Sequence, residues 1–300
     1  MRLPRAVVGS AIVVVAALVT VGASSAGSDR DRGGATGLAP VDEPNERFFA
    51  TGGQFAVECD YSHSARVDPI VWPGRSGRSH RHDFFGASAV DADSTGAALV
   101  GSPTTCRQRA DTAAYWAPSL LRQGRPVEPA GVTAYYRVAP GVDPADVVAY
   151  PLGLAAVAGD AGATGPQPTG VVGFGCGRGG PVSGRVPSCP ETKPLELRVT
   201  FPDCWDGEHL DSDDHHSHLA YSGRDGCGGE HPVALPRLTL VVHYPMSGDA
   251  SDVALSSGAP HTAHADFLNG WDEVALGREV ESCLERSVVC TIPESARAGR

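Results

Sequence analysis

The runs VTAYYRV at residues 132–138 and LTLVVHY at residues 238–244 decide the fold class of this chain. Each is short, is rich in β-branched and aromatic residues, and has glycine or proline within two residues of either end, which is typical of a β-strand. Similar or shorter runs recur between Gly- and Pro-rich connections, at residues 54–59, 67–72, 195–201 and 253–256. This spacing favours an antiparallel β-sandwich or jelly roll over repeated βαβ units.

One segment near the C-terminus has helical periodicity instead. Residues 272–286 place Val274, Leu276, Val280 and Leu284 roughly along one side of a helix. The predicted fold is therefore mainly β, a disulfide-stapled antiparallel β-sandwich or jelly-roll-like domain with one C-terminal helix.

The composition excludes several classes of protein. Hydrophobic residues make up 41% and charged residues 20% of the 300 residues, so the chain can bury a core and is not wholly disordered. With 24 basic and 35 acidic residues, its formal net charge is −11. Nucleic acids and anionic membranes require a basic surface, so neither is an expected partner.

The N-terminus has the order of a secretory signal peptide. Arg2 and Arg5 precede an apolar run at residues 6–21, and small residues follow. The run of about 16 residues is shorter than the roughly 20 needed to cross a bilayer. We therefore expect a cleaved signal at residues 1–26, a secreted protein and no stable membrane insertion after cleavage.

The remaining domain layout follows from composition. Residues 27–47 lack apolar periodicity and are predicted to be a flexible tether. Residues 48–292 are predicted to form a single catalytic or binding domain, and residues 293–300 a frayed tail.

All eight cysteines lie beyond the predicted signal peptide. An even number of cysteines in an exported protein indicates disulfide bonds, and the sequence has no C-x-x-C pair of the kind that binds metals. Short loops favour three pairs, and the fourth joins the two cysteines left over: Cys176–Cys189, Cys204–Cys227 and Cys283–Cys290, then Cys59–Cys106.

Histidines and carboxylates gather in three segments. His80 and His82 belong to the first, and because residues two apart on a strand share a face, their imidazoles can converge on one ligand. The alternative is a pair of exposed or hydrogen-bonded histidines. Asp68 lies upstream, as a further carboxylate or simply as the start of a turn before Pro69.

The second segment, residues 201–221, is the densest. His215 and His218 share a side if the chain forms a helical turn, and neighbouring carboxylates can orient imidazoles or move protons. A disulfide at Cys204 would hold this segment in place.

The third segment, residues 261–271, contains His264 and Asp266, which share a face if the chain is extended. The Asn269-Gly270 pair then predicts a turn that presents Trp271. The alternative is a helix entrance with Trp271 in the core. Four other histidines are interpreted as incidental: His63, His209, His216 and His243.

Aromatic side chains near carboxylates suit sugar rings, through contacts on the ring face and hydrogen bonds at its edge. Packing in the core of a sandwich is the alternative role for the same aromatic residues. The predicted substrate-binding residues are Tyr115, Trp116, Trp205, Asp206, Tyr221 and Trp271.

Longer motifs carry a resemblance to a known family. They are DPIVWPG at 68–74, SHRHDFFG at 79–86, YWAPSL at 115–120, FPDCWDGEHLDSDDHHSHLAY at 201–221 and HADFLNGW at 264–271. Over about residues 55–290, the chain resembles a secreted domain-of-unknown-function family of actinobacteria and filamentous fungi, some fungal members of which carry WSC cell-wall modules. The resemblance implies export and a polysaccharide-rich setting, but no reaction. Fungal members usually have glycine at the position of Ala265.

The leading functional hypothesis is a secreted carbohydrate-active enzyme, a hydrolase or lyase acting on a cell-wall or environmental polysaccharide. Its site would be His/Asp-rich and metal-assisted, with zinc as the first choice and copper as the second, or metal-free with Asp–His acid–base pairs. The predicted catalytic residues are His80, His82, Asp211, Asp214, His215, His218, His264 and Asp266. The predicted metal ligands among them are His80, His82, His215 and His218.

Two alternatives stay open. One is a non-catalytic extracellular protein that binds glycan or cell wall and uses the histidines for a structural metal or a hydrogen-bond network. The other is a secreted metal-scavenging protein.

Overall fold

The computed structural model describes residues 39–40 and 52–291. In chain order the strands are β1 Ala39–Pro40, β2 Gln54–Ala65, β3 His82–Gly86, β4 Ala114–Pro118, β5 Leu120–Arg122, β6 Arg125–Pro126, β7 Gly131–Arg137, β8 Ala155–Gly159, β9 Val172–Cys176, β10 Leu195–Thr200, β11 Cys204–Trp205, β12 Leu219–Ala220, β13 Val233–Ala234, β14 Arg237–His243, β15 Val253–Leu255, β16 His264–Leu268 and β17 Val289–Thr291. The α-helices are α1 Gly96–Leu99 and α2 Glu273–Glu279. The 3-10 helices are Pro144–Asp146 and Pro260–Thr262, and a π-helical segment spans Val280–Glu285.

The predicted signal peptide and tail lie outside the described residues, and so does the predicted tether except for Ala39–Pro40. Within the described part of the chain, no helix has the length and apolar character needed to cross a membrane.

The main sheet follows the strand order β8-β16-β4-β3-β2-β7-β14-β10-β9, and β17 adds to it in parallel beside β2. Pairing along the path is antiparallel, with Tyr136 of β7 opposite both Phe55 of β2 and Leu238 of β14. Two small three-stranded sheets accompany it. The predicted fold class is confirmed: mainly β, antiparallel, between a sandwich and a barrel, with a C-terminal helix and four disulfides.

Alternation along the strands builds the core. In β7, Ala134 and Tyr136 are fully buried in the main apolar cluster, and Leu238 and Leu240 of β14 join them. Arg137 alternates with these residues and therefore lies on the other face of the sheet. Along β7 and β14, one face of the sheet thus holds the core, and the other is free to carry polar groups.

A smaller apolar cluster covers the opposite face of β3, β4 and β16. It contains Phe84, Trp116 and Leu268 from the strands, together with Val67 and Ile70 from the preceding loop. This packing seats the loop on the sheet beside the start of β3.

The disulfides are the four pairs that loop length predicts: Cys59–Cys106, Cys176–Cys189, Cys204–Cys227 and Cys283–Cys290. The predicted helix at 272–286 also forms, with Asp272 as its N-cap accepting a hydrogen bond of 2.9 Å from the backbone N–H of Ala275. Its second half is π-helical.

The predicted strand at residues 67–72 is wrong. Asp68 Oδ1 accepts hydrogen bonds from the backbone N–H groups of Ile70, at 3.2 Å, and Val71, at 2.9 Å. The aspartate side chain competes with strand pairing and closes a turn instead.

Candidate metal centre and the adjoining histidine loop

Three histidines meet at one end of the sheet. His82 begins β3 and His264 begins β16, and these strands lie on either side of β4, while His80 belongs to the loop before β3. The Nε2 atoms of His80 and His264 are 3.2 Å apart, and the rings of His80 and His82 are 4.2 Å apart between centroids. Two nitrogens bound to one zinc ion in a tetrahedral site are about 3.3 Å apart. The spacing of His80 and His264 therefore fits two ligands of a single ion.

Backbone carbonyls fix which ring nitrogen carries the proton. His82 Nδ1 lies 2.9 Å from the carbonyl oxygen of Val67, and His264 Nδ1 lies 2.8 Å from that of Thr262. A carbonyl can only accept, so each Nδ1 donates its proton and each Nε2 keeps a lone pair. Histidines that bind metals are usually oriented in this way.

Two buried carboxylates complete the cluster. One ligand atom each of Asp68, His82 and Asp266 lies within 4.8 Å of the others, and the same limit holds for His80, His82 and His264. Asp266 is 1% exposed and Asp68 is 4% exposed. His82 belongs to both groups, so the five side chains form one contiguous set.

Three buried polar atoms of this set lack partners. Among the described residues, both carboxylate oxygens of Asp266 and the Nε2 atom of His82 are without a hydrogen-bond partner. A carboxylate buried without any donor is strongly destabilised unless a proton or a cation joins it. Atoms bound to one ion at about 2.0–2.2 Å lie about 3 to 4.4 Å apart. The atoms of each group of three lie within 4.8 Å of one another, so either group is a candidate set of ligands for one divalent cation.

The electrostatics agree with this description. Burial, and then the neighbouring His264, lower the pKa of His80 to about 4. Burial also lowers the pKa of His82 and of His264, so all three imidazoles are neutral at pH 7 and able to bind a metal. Burial, and then the charge of Asp68, hold the pKa of Asp266 well above its usual range.

The second histidine segment forms an exposed loop beside an open cleft of about 870 Å³. In it, His215 Nδ1 lies 3.0 Å from one carboxylate oxygen of Asp211 and 3.1 Å from the other. His215 has a φ of 60°, an uncommon backbone conformation for a residue other than glycine. Burial raises the pKa of Asp68, and this increase is opposed by its hydrogen bonds from the backbone of Val71 and Ile70 and, least, by the charge of His215.

The structure therefore brings only two of the four predicted metal ligands together. His80 and His82 meet, but their buried partner is His264 rather than His215 or His218. His218 has no free ring nitrogen, because Nδ1 bonds Ser212 Oγ at 2.9 Å and Nε2 bonds the carbonyl of Ala155 at 2.8 Å. Its predicted role as a ligand does not fit this geometry.

Asp214 likewise has a structural position. Its Oδ1 accepts hydrogen bonds from the backbone N–H groups of His216 and Ser217 and from Ser212 Oγ. These bonds hold the pKa of Asp214 well below its usual range. A carboxylate that stays ionised and bonded in this way shapes the loop and is a poor general acid.

Replacing His218 with alanine tests its exclusion from the metal ligands. The variant should lose about 1–3 kcal/mol of unfolding free energy, because the carbonyl of Ala155 loses its buried donor. Its metal content should equal that of the unmodified protein. Thermal unfolding and elemental analysis measure the two quantities, and loss of the metal would return His218 to the ligand set.

Three of the predicted substrate-binding residues are buried, so this prediction is wrong for them. Tyr115, Trp116 and Trp271 are each 0% exposed, so no polysaccharide can reach them. Trp271 Nε1 lies 3.1 Å from the Tyr136 hydroxyl, and Phe55 packs against both rings. These aromatic residues belong to the core, as their alternative interpretation holds.

The other three predicted substrate-binding residues remain at the surface. Trp205 and Asp206 are half-buried, and Tyr221 is 43% exposed while its hydroxyl donates to the carbonyl of Thr200 at 2.9 Å. Asp206 accepts bonds from the backbone N–H groups of Glu208 and His209, which shape the rim of the cleft.

The histidines interpreted as incidental take structural or exposed positions. His63 stacks on Phe84 with 4.8 Å between ring centroids, and His243 bonds Thr133. His209 and His216 are exposed. Asp68 is a candidate ligand outside the predicted catalytic and metal-binding residues, and the signal in the sequence is a carboxylate within the otherwise apolar run of residues 67–71.

Comparison with known families identifies the class of protein. The family model described as a domain of unknown function, DUF1996, matches residues 68–271, from the Asp68 turn to Trp271. The chain belongs to this family. No curated protein and no solved structure matches it.

Proposed function

We propose that the chain is a secreted, metal-assisted carbohydrate-active enzyme of hydrolase or lyase type. Its divalent ion, zinc first and copper second, would be held by the buried set described above. The candidate ligands form two groups of three that share His82: His80, His82 and His264, and Asp68, His82 and Asp266. They replace the predicted ligands His215 and His218.

The unpartnered atoms of Asp266 and His82 carry the proposal. Neutral imidazoles with fixed tautomers and a nearby carboxylate pair suit a borderline divalent ion. His80 is the half-buried member of the set, so it marks the side from which solvent and substrate would approach.

The chemistry divides between the centre and the loop. A divalent ion bound there would polarise a substrate oxygen and lower the pKa of a bound water. Asp211 holds His215 with Nδ1 bonded, which leaves Nε2 to accept or return a proton. His215 lines the cleft and is held by Asp211, so it is the candidate acid–base residue.

Carbohydrate as the substrate is supported by the remaining surface residues. Tyr221 presents an exposed ring, Trp205 is half-buried, and Asp206 lines the cleft. Sugar rings bind to such combinations of an aromatic face with carboxylates at its edge.

A non-catalytic glycan-binding protein with a structural ion is the second candidate. The observation that favours it is burial, since His82, His264, Asp68 and Asp266 are between 0% and 4% exposed. Structural zinc sites are closed, whereas catalytic sites keep one position open.

One experiment separates the two candidates. The secreted protein is incubated with neutral and acidic cell-wall polysaccharides, before and after chelation and after reloading with zinc or copper. New reducing ends or unsaturated-sugar absorbance should appear, disappear on chelation and return with metal. His215→Ala should lower the rate about 100-fold or more, as expected for loss of a general acid–base group, while keeping the metal. His216→Ala, at an exposed neighbouring histidine, is the matched control.

A full equivalent of metal without cleavage of any polysaccharide would overturn the enzymatic proposal and favour the second candidate. Absence of bound metal after purification and reloading would overturn both.

A further inference from the structure

A groove of about 470 Å³ lies on the outer face of β2, β7, β10 and β14, on elements other than those that carry the candidate metal centre. Four arginines line it, one from each of β7, β10 and β14 and one from the loop after β9: Arg137, Arg198, Arg237 and Arg178. The chain as a whole has a net charge of −11, so this concentration of guanidinium groups departs from the rest of the sequence.

The arginines are held in position. Arg137 Nε donates to Gln54 Oε1 at 2.5 Å, and its guanidinium lies 4.6 Å from the centre of the Tyr135 ring. Arg198 donates to the carbonyls of Gly177 and Gly180 from the loop that forms one wall. A preorganised guanidinium loses less entropy on binding than a mobile surface side chain.

Two donors in the groove lack acceptors. Gln54 is 1% exposed, and its Nε2 has no hydrogen-bond partner among the described residues. The same is true of Arg237 Nε, although its Nη2 donates to Asp203 and Ser222. Buried donors without acceptors are costly, and oxygen atoms of a ligand would satisfy both.

The charges favour an anion. Three carboxylates pair with arginines of the groove: Glu196 with Arg198 at 2.8 Å, Glu58 with Arg178 at 3.1 Å and Asp203 with Arg237 at 3.0 Å. Of these carboxylates, Glu196 lines the groove, and it also pairs with His243 at 3.3 Å. The four arginines therefore outnumber these three carboxylates by one. Burial lowers the pKa of Arg137 to about 10. The nearby Tyr135 opposes this decrease, and the charge of Arg198 adds to it. An anionic group would offset the repulsion between Arg137 and Arg198.

We propose that this arginine groove binds the acidic groups of a polysaccharide, carboxylate or sulfate, at a site separate from the candidate metal centre. Guanidinium groups recognise both groups through paired hydrogen bonds, and Gln54 supplies an additional neutral donor. The choice of a glycan rests on the proposed function, whereas the choice of an anion rests only on the groove.

Calorimetric titration of the full chain tests the proposal. The probes are hexagalacturonate, a sulfated hexasaccharide, neutral maltohexaose and inorganic phosphate. An acidic hexasaccharide should bind, and binding should weaken as salt concentration rises. Arg137→Gln should weaken it about tenfold, and Arg178→Gln, at a side chain that is 58% exposed, about threefold. Arg125→Gln, at an exposed arginine of β6, should leave it unchanged.

The outcomes separate this inference from the proposed function. Failure of both acidic hexasaccharides to bind, or equal binding by maltohexaose, would overturn it. Undiminished binding by both Arg137→Gln and Arg178→Gln would also overturn it. Arg178 is exposed, so the Arg178→Gln variant should fold even if Arg137→Gln does not. Phosphate binding as tight as that of the hexasaccharides would overturn the glycan part. Metal content is measured in the same variants and should equal that of the unmodified chain. If the unmodified chain binds an acidic hexasaccharide but contains no metal, that result contradicts the proposed function and not this inference.

Discussion

Replacing His82 with alanine should remove stoichiometric zinc from the protein and lower its apparent zinc affinity by more than about 100-fold. Changes to residues that merely support a ligand cost about 10–100-fold in affinity, so loss of a ligand should cost more. His82 is fully buried, its Nδ1 is fixed by Val67, and its Nε2 faces no protein partner within the described residues. Competition with a chromophoric chelator measures the affinity, and elemental analysis measures the stoichiometry.

Two further variants keep this prediction testable if the His82 variant does not fold. His80→Ala, at a half-buried position, should also lose the metal, and His216→Ala, at an exposed position, should keep it. If both His80→Ala and His82→Ala retain zinc, the ion binds elsewhere, and the proposed metal centre is contradicted.

Replacing Trp271 with alanine should lower the free energy of unfolding by about 3–5 kcal/mol, the usual cost of deleting a buried aromatic ring. For a domain of this size, that corresponds to a fall in Tm of about 10 °C. Trp271 is fully buried, packs at 81° to the ring of Phe55, and donates to the Tyr136 hydroxyl. Thermal and denaturant unfolding followed by circular dichroism measure the change.

Trp205→Ala is the matched control. Trp205 is half-buried and its Nε1 donates to the carbonyl of His209, so its loss should cost about 1 kcal/mol. A larger loss of stability in Trp205→Ala than in Trp271→Ala would reverse the assignment of core and surface.

Local patterns predicted the fold well because strand formation depends on alternation that a short run displays. The strands β7 and β14 appear within one residue of the predicted runs at both ends. The strand predicted at 67–72 failed because one side chain, Asp68, satisfies backbone donors that a strand would pair with a neighbour. Apolar content alone does not reveal that competition.

The candidate site was predictable only in part. His264 and Asp266 alternate along β16 as predicted. The rings of His80 and His82 also meet as predicted, although His80 lies in the loop before β3 and not on a strand. The meeting of the two pairs depends on the placement of β4 between β3 and β16, which is a non-local pairing. Burial of Trp116 and Trp271 is equally non-local, because an aromatic residue suits a core and a sugar-binding surface alike.

The span between the ligands has a consequence for how the domain holds together. The four cystines connect residues between 7 and 47 positions apart, whereas His80 and His264 are 184 positions apart. In the proposed centre, one ion would therefore tie the beginning of the domain to its end, a connection that none of the cystines makes. Closing so long a loop restricts the unfolded chain, so removing the ion should lower the free energy of unfolding of the domain even with all four cystines intact.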